Sequence, residues 1–195
     1  ELNKRTAQIA IDNGLNVHIG RLGEVSLSLD RYDCIFLGDV IEHVISPREF
    51  LIKCLNILKD NGVIIISTPN LDCLWSDLTY ILYRLMGIPW SSITPPYHIF
   101  QFSFDNIRLL MHDVGLSVDD NWYGRRPRIM YELGSLHLVK KIKKEPRLIN
   151  KVLYTVYTLI AFSLYISIYI IIEVLNLIRV TDKDFAMVVV GRKKL

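Results

Sequence analysis

Two groups of polar residues in this sequence have the side chains needed for acid–base or metal chemistry. Asp39, Glu42 and His43 follow a short apolar run at residues 34–37, and His98 closes a loop rich in Ser, Thr and Pro. Imidazole titrates near neutral pH, so His98 is a candidate catalytic base that could take a proton from a hydroxyl nucleophile. Carboxylates combined with imidazole could instead hold Mg or Zn, which makes Asp39, Glu42 and His43 metal candidates.

The same residues also admit structural roles. Glu42 and His43 could form a hydrogen-bonded polar loop before a helix, and His98 could pack on Trp90 or Tyr97. The residue types alone do not decide between these roles and a catalytic one.

The elements that must position these residues alternate between strands and helices. Apolar periodicity predicts strands at residues 15–19, 34–37, 63–67, 116–122 and 185–190, and helices at residues 3–13, 47–58, 71–86 and 104–114. The continuous apolar run at 34–37 is typical of a strand buried on both faces. This alternation favours an α/β fold with a mostly parallel sheet, in which ligands bind beyond the carboxyl ends of the strands.

Composition restricts the class of protein. The 195 residues are 51% hydrophobic and 22% charged, which is enough apolar material for a core and argues against disorder. The net charge of +3 is too small to argue for a nucleic-acid partner. Three cysteines without a paired motif are typical of reduced thiols in a cytosolic protein.

Three stretches, in this order, resemble the class I S-adenosylmethionine-dependent methyltransferases, in particular the ubiquinone-type and polysaccharide-cluster subgroup. Residues 32–44 read YDCIFLGDVIEHV and are similar to the fourth strand and its exit loop, with an EH pair before the next helix. Residues 58–70 read LKDNGVIIISTPN and are similar to the turn and fifth strand that end in PN. Residues 98–103 read HIFQFS and resemble the segment before the helix that precedes the sixth strand.

The resemblance implies a Rossmann-like, mostly parallel sheet with an antiparallel last strand, and S-adenosylmethionine as the cofactor. Glu1 would be the acidic residue that binds the ribose hydroxyls of the cofactor, because a carboxylate can accept from both. The cofactor-binding residues implied by position are Glu1, Arg21, Leu22, Asp39, Val40, Glu42 and His43. In quinone-biosynthesis members, a similar acid-x-x-Glu-His group is linked to a divalent metal.

The family's first strand and its GxGxG loop are expected upstream of Glu1. The dipeptides Asn13-Gly14 and Leu22-Gly23 do not substitute for that loop. The sequence is therefore interpreted as the larger, C-terminal part of such an enzyme.

A basic and then apolar segment is predicted to interrupt the domain. The block at residues 125–151 contains nine cationic residues against Glu132 and Glu145: Arg125, Arg126, Arg128, Lys140, Lys141, Lys143, Lys144, Arg147 and Lys151. Residues 152–172 then contain no charge and are long enough to span a membrane. We predict a partial methyltransferase domain at residues 1–124 and 180–195, with a basic and hydrophobic helical insertion at residues 125–179.

The topology of the insertion restricts its environment. Strands are predicted before and after it in one sheet, so the chain must enter and leave on the same side of any membrane. The segment could lie in the interface with anionic lipid, form a bent re-entrant hairpin, or pack as a helix on the domain or on a second subunit of a homo-oligomer.

Three functions follow as alternatives. The first is methyl transfer to a small, lipid-linked or glycan-linked acceptor, as O-methylation, by a cytoplasmic protein held peripherally at the inner membrane face. The second is a dinucleotide-binding oxidoreductase, although the sequence contains no hydride-transfer motif. The third is a non-catalytic, membrane-associated adaptor built on a methyltransferase fold.

Overall fold

The computed structural model describes residues 1–24, 31–87, 98–124, 148–178 and 184–194. The residues of the basic block from 125 to 147 lie outside the described part of the chain, as do Trp90 and Tyr97. The elements in chain order are α1 Lys4–Asp12, β1 Tyr32–Gly38, a 3-10 turn Ile41–His43, α2 Pro47–Ile57, β2 Leu58–Pro69, α3 Leu74–Met86, α4 Phe104–Asp113, β3 Leu116–Gly124, α5 Leu148–Leu177 and β4 Ala186–Lys193.

The four described strands form one mixed sheet in the order β1-β2-β4-β3. Strands β1 and β2 are parallel, whereas β4 runs antiparallel to both β2 and β3. The predicted α/β fold with an antiparallel last strand is confirmed. Pairing of Gly38 with Ser67 brings the carboxyl ends of β1 and β2 to the same level.

Side-chain caps fix the starts of two helices, α1 and α4. Asn3 accepts hydrogen bonds from the backbone N–H groups of Arg5 and Thr6 at the start of α1, and the hydroxyl of Ser103 accepts one from Asn106 N at the start of α4. Gly115 follows α4 with a φ of +89°, a conformation that favours glycine. Helix α4 therefore ends where β3 begins.

The main apolar core lies between the sheet and helices α2 and α4. Its fully buried members include Leu51, Ile64, Ile66, Ile107 and Met111. Alternate residues of β2 and regularly spaced residues of both helices supply these side chains, as the two periodicities require. The core holds the carboxyl ends of β1 and β2 in a fixed relative position.

Two expectations about strands are wrong. Residues 15–19 do not form a strand, because no described strand lies beside them and an unpaired strand is unstable. Strand β1 is not buried on both faces, since Phe36 is 65% exposed. The reason is that α2 and α4 pack on the opposite face of the sheet, where Leu37 is buried, and leave the face of β1 that carries Phe36 uncovered.

Helix α5 forms most of a second apolar cluster with α3. Tyr165 stacks on Trp75 with 5.9 Å between ring centroids, and Ala161, Ile168 and Ile172 are buried beside them. The helix is continuous over 30 residues, or about 45 Å, so this segment forms no bent hairpin. Among the described residues, one helix is long and apolar enough to cross a membrane, at Thr155–Leu177 with a mean hydropathy of 2.2.

Candidate functional site

The site begins directly after β1, where Asp39 changes the direction of the chain. Asp39 has a φ of +52°, a left-handed conformation that Asp tolerates better than most residues. Its backbone N–H donates to Ser67 O at 2.8 Å, which ties the exit of β1 to the end of β2. The chain then enters the 3-10 turn Ile41–His43 over the carboxyl ends of the strands.

Glu42 connects three segments of the site. Its side chain is 1% exposed and accepts a hydrogen bond from the Thr68 hydroxyl at 3.0 Å, so it joins the turn to the end of β2. Its backbone oxygen accepts from Ile99 N at 2.9 Å and from Phe100 N at 3.1 Å. These last two bonds hold the loop of His98 against the turn.

The two predicted histidines lie side by side. The ring centroids of His43 and His98 are 4.9 Å apart with an interplanar angle of 58°. Nε2 of His43 is 4.0 Å from Oε1 of Glu42. The structure therefore brings the predicted catalytic residue, His98, into contact with two of the predicted cofactor-binding residues.

The ligand atoms of Glu42, His43 and His98 all lie within 4.8 Å of one another. We call these three residues the Glu–His–His cluster. Oε1 of Glu42 is buried and has no hydrogen-bond partner, which fits a site for a cation. The metal ligands expected from the sequence were Asp39, Glu42 and His43. In the structure His98, and not Asp39, lies with Glu42 and His43.

A small cleft opens beside the cluster. It is lined by Glu42, Thr68, Pro69, Asn70, Leu71, His98, Phe100 and Gln101. Thr68 and Asn70 follow the strand predicted at residues 63–67, at the edge of the sheet where ligands are expected to bind. Gln101 belongs to the HIFQFS stretch but had no predicted role, and the backbone pairing of Asn70 with Phe102 brings that loop to the end of β2.

Asn70 has a structural role at the rim of the cleft. Its N–H donates to Phe185 O at 2.7 Å, and its side-chain amide donates to Asp184 O at 3.1 Å. Its side-chain oxygen accepts from Asp72 N at 3.0 Å. Asn70 therefore fixes the start of β4 and the approach to α3 relative to the cleft.

Of the remaining predicted cofactor residues, Glu1, Arg21 and Leu22 lie near one another, and Val40 lies just before the 3-10 turn after β1. The backbone oxygen of Glu1 accepts from Gly20 N at 3.0 Å, so Glu1 adjoins the turn that contains Arg21 and Leu22. Arg21 is exposed, whereas Leu22 and Val40 pack partly against the main core. Their role as cofactor-binding residues stays a prediction.

Burial raises the pKa of the Glu42 carboxyl above its ordinary value of 4.5, and hydrogen bonds from the backbone and Thr68 partly offset this. A raised folded-state pKa contributes stability at low pH that is lost as the pH rises through the raised value. Glu42→Gln in the full-length protein removes this ionisation and still offers an oxygen to Thr68. We expect the free energy of unfolding of the variant to exceed that of the wild type at neutral pH. It should also decrease less than that of the wild type between a pH below 4.5 and neutral pH.

Urea unfolding across a pH series tests this expectation. The exposed Glu49→Gln on α2 is the matched control and should keep the wild-type profile. Identical pH profiles for Glu42→Gln and the wild type would contradict the assignment of the raised pKa to Glu42.

Part of this chain matches a known family of domains. A family model described as a methyltransferase domain matches residues 5–121. The chain is 26% identical over 96 residues to a ubiquinone biosynthesis O-methyltransferase from Bradyrhizobium diazoefficiens, which covers 45% of this chain and 37% of the relative. It is 31% identical over 70 residues to the protein of the same description from Haemophilus ducreyi, which covers 32% of this chain and 30% of that relative.

Among solved structures, a SAM-dependent methyltransferase from Archaeoglobus fulgidus has a TM-score of 0.56 at 15% identity, covering 99% of this chain and 74% of that one. This likeness shows a shared fold. The chain spans less than half the length of the curated relatives that it matches. Because the family model matches more than half of it, the chain belongs to the class I S-adenosylmethionine-dependent methyltransferases.

Proposed function

We propose that the full-length protein transfers a methyl group from S-adenosylmethionine to a hydroxyl oxygen of a small, lipid-linked or glycan-linked acceptor. The observation that carries the proposal is the contact of His98 with His43 above the buried Glu42, at the carboxyl ends of β1 and β2. Ligands of open α/β sheets bind at that edge. The two curated relatives are O-methyltransferases, which supports oxygen as the methylated atom.

The bound cofactor would supply an electrophilic methyl group on its sulfonium sulfur, for direct in-line displacement. His98 would accept the proton of the acceptor hydroxyl as the new carbon–oxygen bond forms. Glu42 positions His98, because its backbone oxygen binds the two N–H groups that follow His98 in the chain. Correct placement of the acceptor supplies the rest of the rate enhancement.

The Glu–His–His cluster also supports a second way to activate the hydroxyl. One carboxylate and two imidazoles are suitable ligands for a divalent cation. A cation held there would lower the pKa of a coordinated hydroxyl. In that case Glu42, His43 and His98 would act as ligands, and no residue of the cluster would be the base.

The test of the proposal is turnover by the full-length protein. Incubation with S-adenosylmethionine and candidate acceptors is expected to yield S-adenosylhomocysteine in proportion to methylated product. A folded protein that binds no S-adenosylmethionine would favour the alternative function, a non-catalytic adaptor on a methyltransferase fold. Family membership leaves no support for the dinucleotide-dependent oxidoreductase alternative.

Glu1 is proposed to bind the ribose hydroxyls of the cofactor. Glu1→Ala in the full-length protein should weaken S-adenosylmethionine binding by about 1–3 kcal/mol, because a charged acceptor is lost. Titration calorimetry measures this change. The exposed Glu49→Ala on α2, away from this turn, is the control and should bind normally; equal affinities for all three proteins would remove Glu1 from the site.

We further propose that the protein is cytoplasmic and peripheral at the inner face of the membrane, through residues 125–179. Gly124 pairs with Ala186, so the chain leaves the sheet and returns to it at adjacent positions. If α5 crossed the membrane once, the basic block would have to cross as well for the chain to return to the sheet. The positive charges of that block make such a crossing too costly. Attachment in the plane of the membrane is consistent with this topology.

A further inference from the structure

The outward face of α5 is almost wholly apolar. At about 100° per residue, the exposed side chains fall on one side of the helix, opposite the face that packs on α3. Leu159 is 60% exposed and Leu177 is 83% exposed. The members of this outer face are Val152, Leu153, Val156, Leu159, Ile160, Ser163, Ser167, Ile170, Ile171, Val174, Leu177 and Ile178.

The two serines on the outer face present no unpaired donor. The Ser163 hydroxyl donates to Leu159 O at 3.0 Å, and the Ser167 hydroxyl donates to Ser163 O at 2.9 Å. The polar residues Thr155, Thr158, Glu173 and Asn176 fall at the border between the outer and buried faces. A continuous apolar surface of this length is unusual on a monomer and indicates an interaction site.

The end of α5 is connected to the cleft through hydrogen bonds. The Asn176 side-chain amide donates to Asp184 Oδ1 at 3.4 Å, and Asp184 O accepts from the Asn70 amide at 3.1 Å. Asn70 lines the cleft beside His98 and Glu42. The C-terminal end of α5 is therefore linked to the rim of the cleft through Asp184.

The charge of the neighbouring sequence favours one kind of surface as the partner of this face. The nine cations of residues 125–151 precede the outer face in the sequence, and Glu173 is the one acidic residue between 148 and 178. Basic residues next to an apolar helix attract anionic lipid headgroups, by about 1 kcal/mol each near the surface. A second copy of this chain would bring the same positive charge and would not be attracted in this way.

We propose that the outer face of α5 lies on an anionic lipid bilayer and that the methyl acceptor is an amphiphile anchored in the same bilayer. The hydroxyl of its headgroup would reach the cleft at the membrane surface while its hydrocarbon chain stays among the lipids. This inference rests on the proposed methyl transfer and narrows its acceptor to the lipid-linked class.

The experiment uses the full-length protein and S-adenosylmethionine labelled on the methyl group. One reaction contains mixed phosphatidylcholine–phosphatidylglycerol vesicles carrying the chloroform-soluble fraction of the source cells, and the other contains the water-soluble fraction. We expect the label to enter a chloroform-extractable product. Ile170→Glu with Val174→Glu should reduce that labelling at least about 10-fold without changing cofactor affinity, whereas the exposed Leu109→Glu on α4 should not.

Each other outcome contradicts a specific step. Label in the water-soluble fraction alone would overturn the lipid-linked acceptor and leave the proposed methyl transfer intact. Equal lipid labelling by the double variant would overturn the outer face as the membrane contact, as would stable dimers seen by analytical ultracentrifugation in the wild type and lost in the double variant. A protein that binds the cofactor but labels neither fraction would overturn both the inference and the proposed function.

Discussion

His98→Gln is expected to lower turnover of the full-length enzyme by about 10²-fold or more while leaving S-adenosylmethionine affinity unchanged. Removal of a general base typically costs a factor of this size, because the proton must leave the nucleophile without help. Glutamine keeps a polar side chain of similar size in the loop that Glu42 holds. Steady-state kinetics with calorimetry of cofactor binding measures both quantities.

The exposed His112→Gln at the end of α4 is the matched control and should retain wild-type turnover. Near-wild-type turnover of His98→Gln would reduce His98 to a structural role. A loss of cofactor affinity equal to the loss of turnover would assign His98 to binding and not to deprotonation.

A chelator separates the two ways in which His98 could act. If His98 is a base, removal of divalent cations should leave turnover unchanged. If the Glu–His–His cluster holds a cation, chelation should abolish turnover and a divalent metal should restore it in the wild type but not in His43→Ala.

Ile170→Glu with Val174→Glu is expected to weaken binding of the full-length protein to anionic vesicles by at least about 10²-fold. Each apolar side chain that enters the bilayer contributes about 1.5–3 kcal/mol when fully buried, and each tenfold change in affinity corresponds to about 1.4 kcal/mol. Both residues lie on the outer face of α5, so the change should not disturb its packing on α3. Vesicle co-sedimentation measures the change, with Leu109→Glu as the control.

A separate experiment measures on which side of the membrane the two ends of the insertion lie. Cysteines that replace Arg126 or Lys194, in a background where the exposed Cys34 is serine and the buried Cys54 and Cys73 are kept, should be labelled from the same side of oriented vesicles. Labelling from opposite sides would show a single crossing and defeat attachment in the plane. Complete solubility, with no vesicle binding at low salt, would defeat the membrane location altogether.

Local sequence signals predicted most of the helices and strands, because each depends on neighbouring residues. The helices predicted at residues 3–13 and 104–114 are observed as α1 and α4, whose starts are capped by Asn3 and Ser103, and Gly115 follows the end of α4. The prediction at residues 15–19 was wrong because a strand also needs a partner, and its pairing is not encoded in its own residues. The exposure of Phe36 has a related origin, since the burial of each face of a strand depends on which helices pack over that face.

For the site, the sequence by itself determined that Glu42 and His43 lie together after a strand, since they are adjacent in the chain and follow an apolar run. It also determined that residues 152–172 form an apolar segment next to a basic one. Only the tertiary structure decided that His98 joins Glu42 and His43, because the N–H groups of Ile99 and Phe100 bind Glu42 O across a long sequence separation. The tertiary structure also decided which face of α5 is buried. Both faces of this helix are apolar, and contact with α3, including Trp75, covers only one of them.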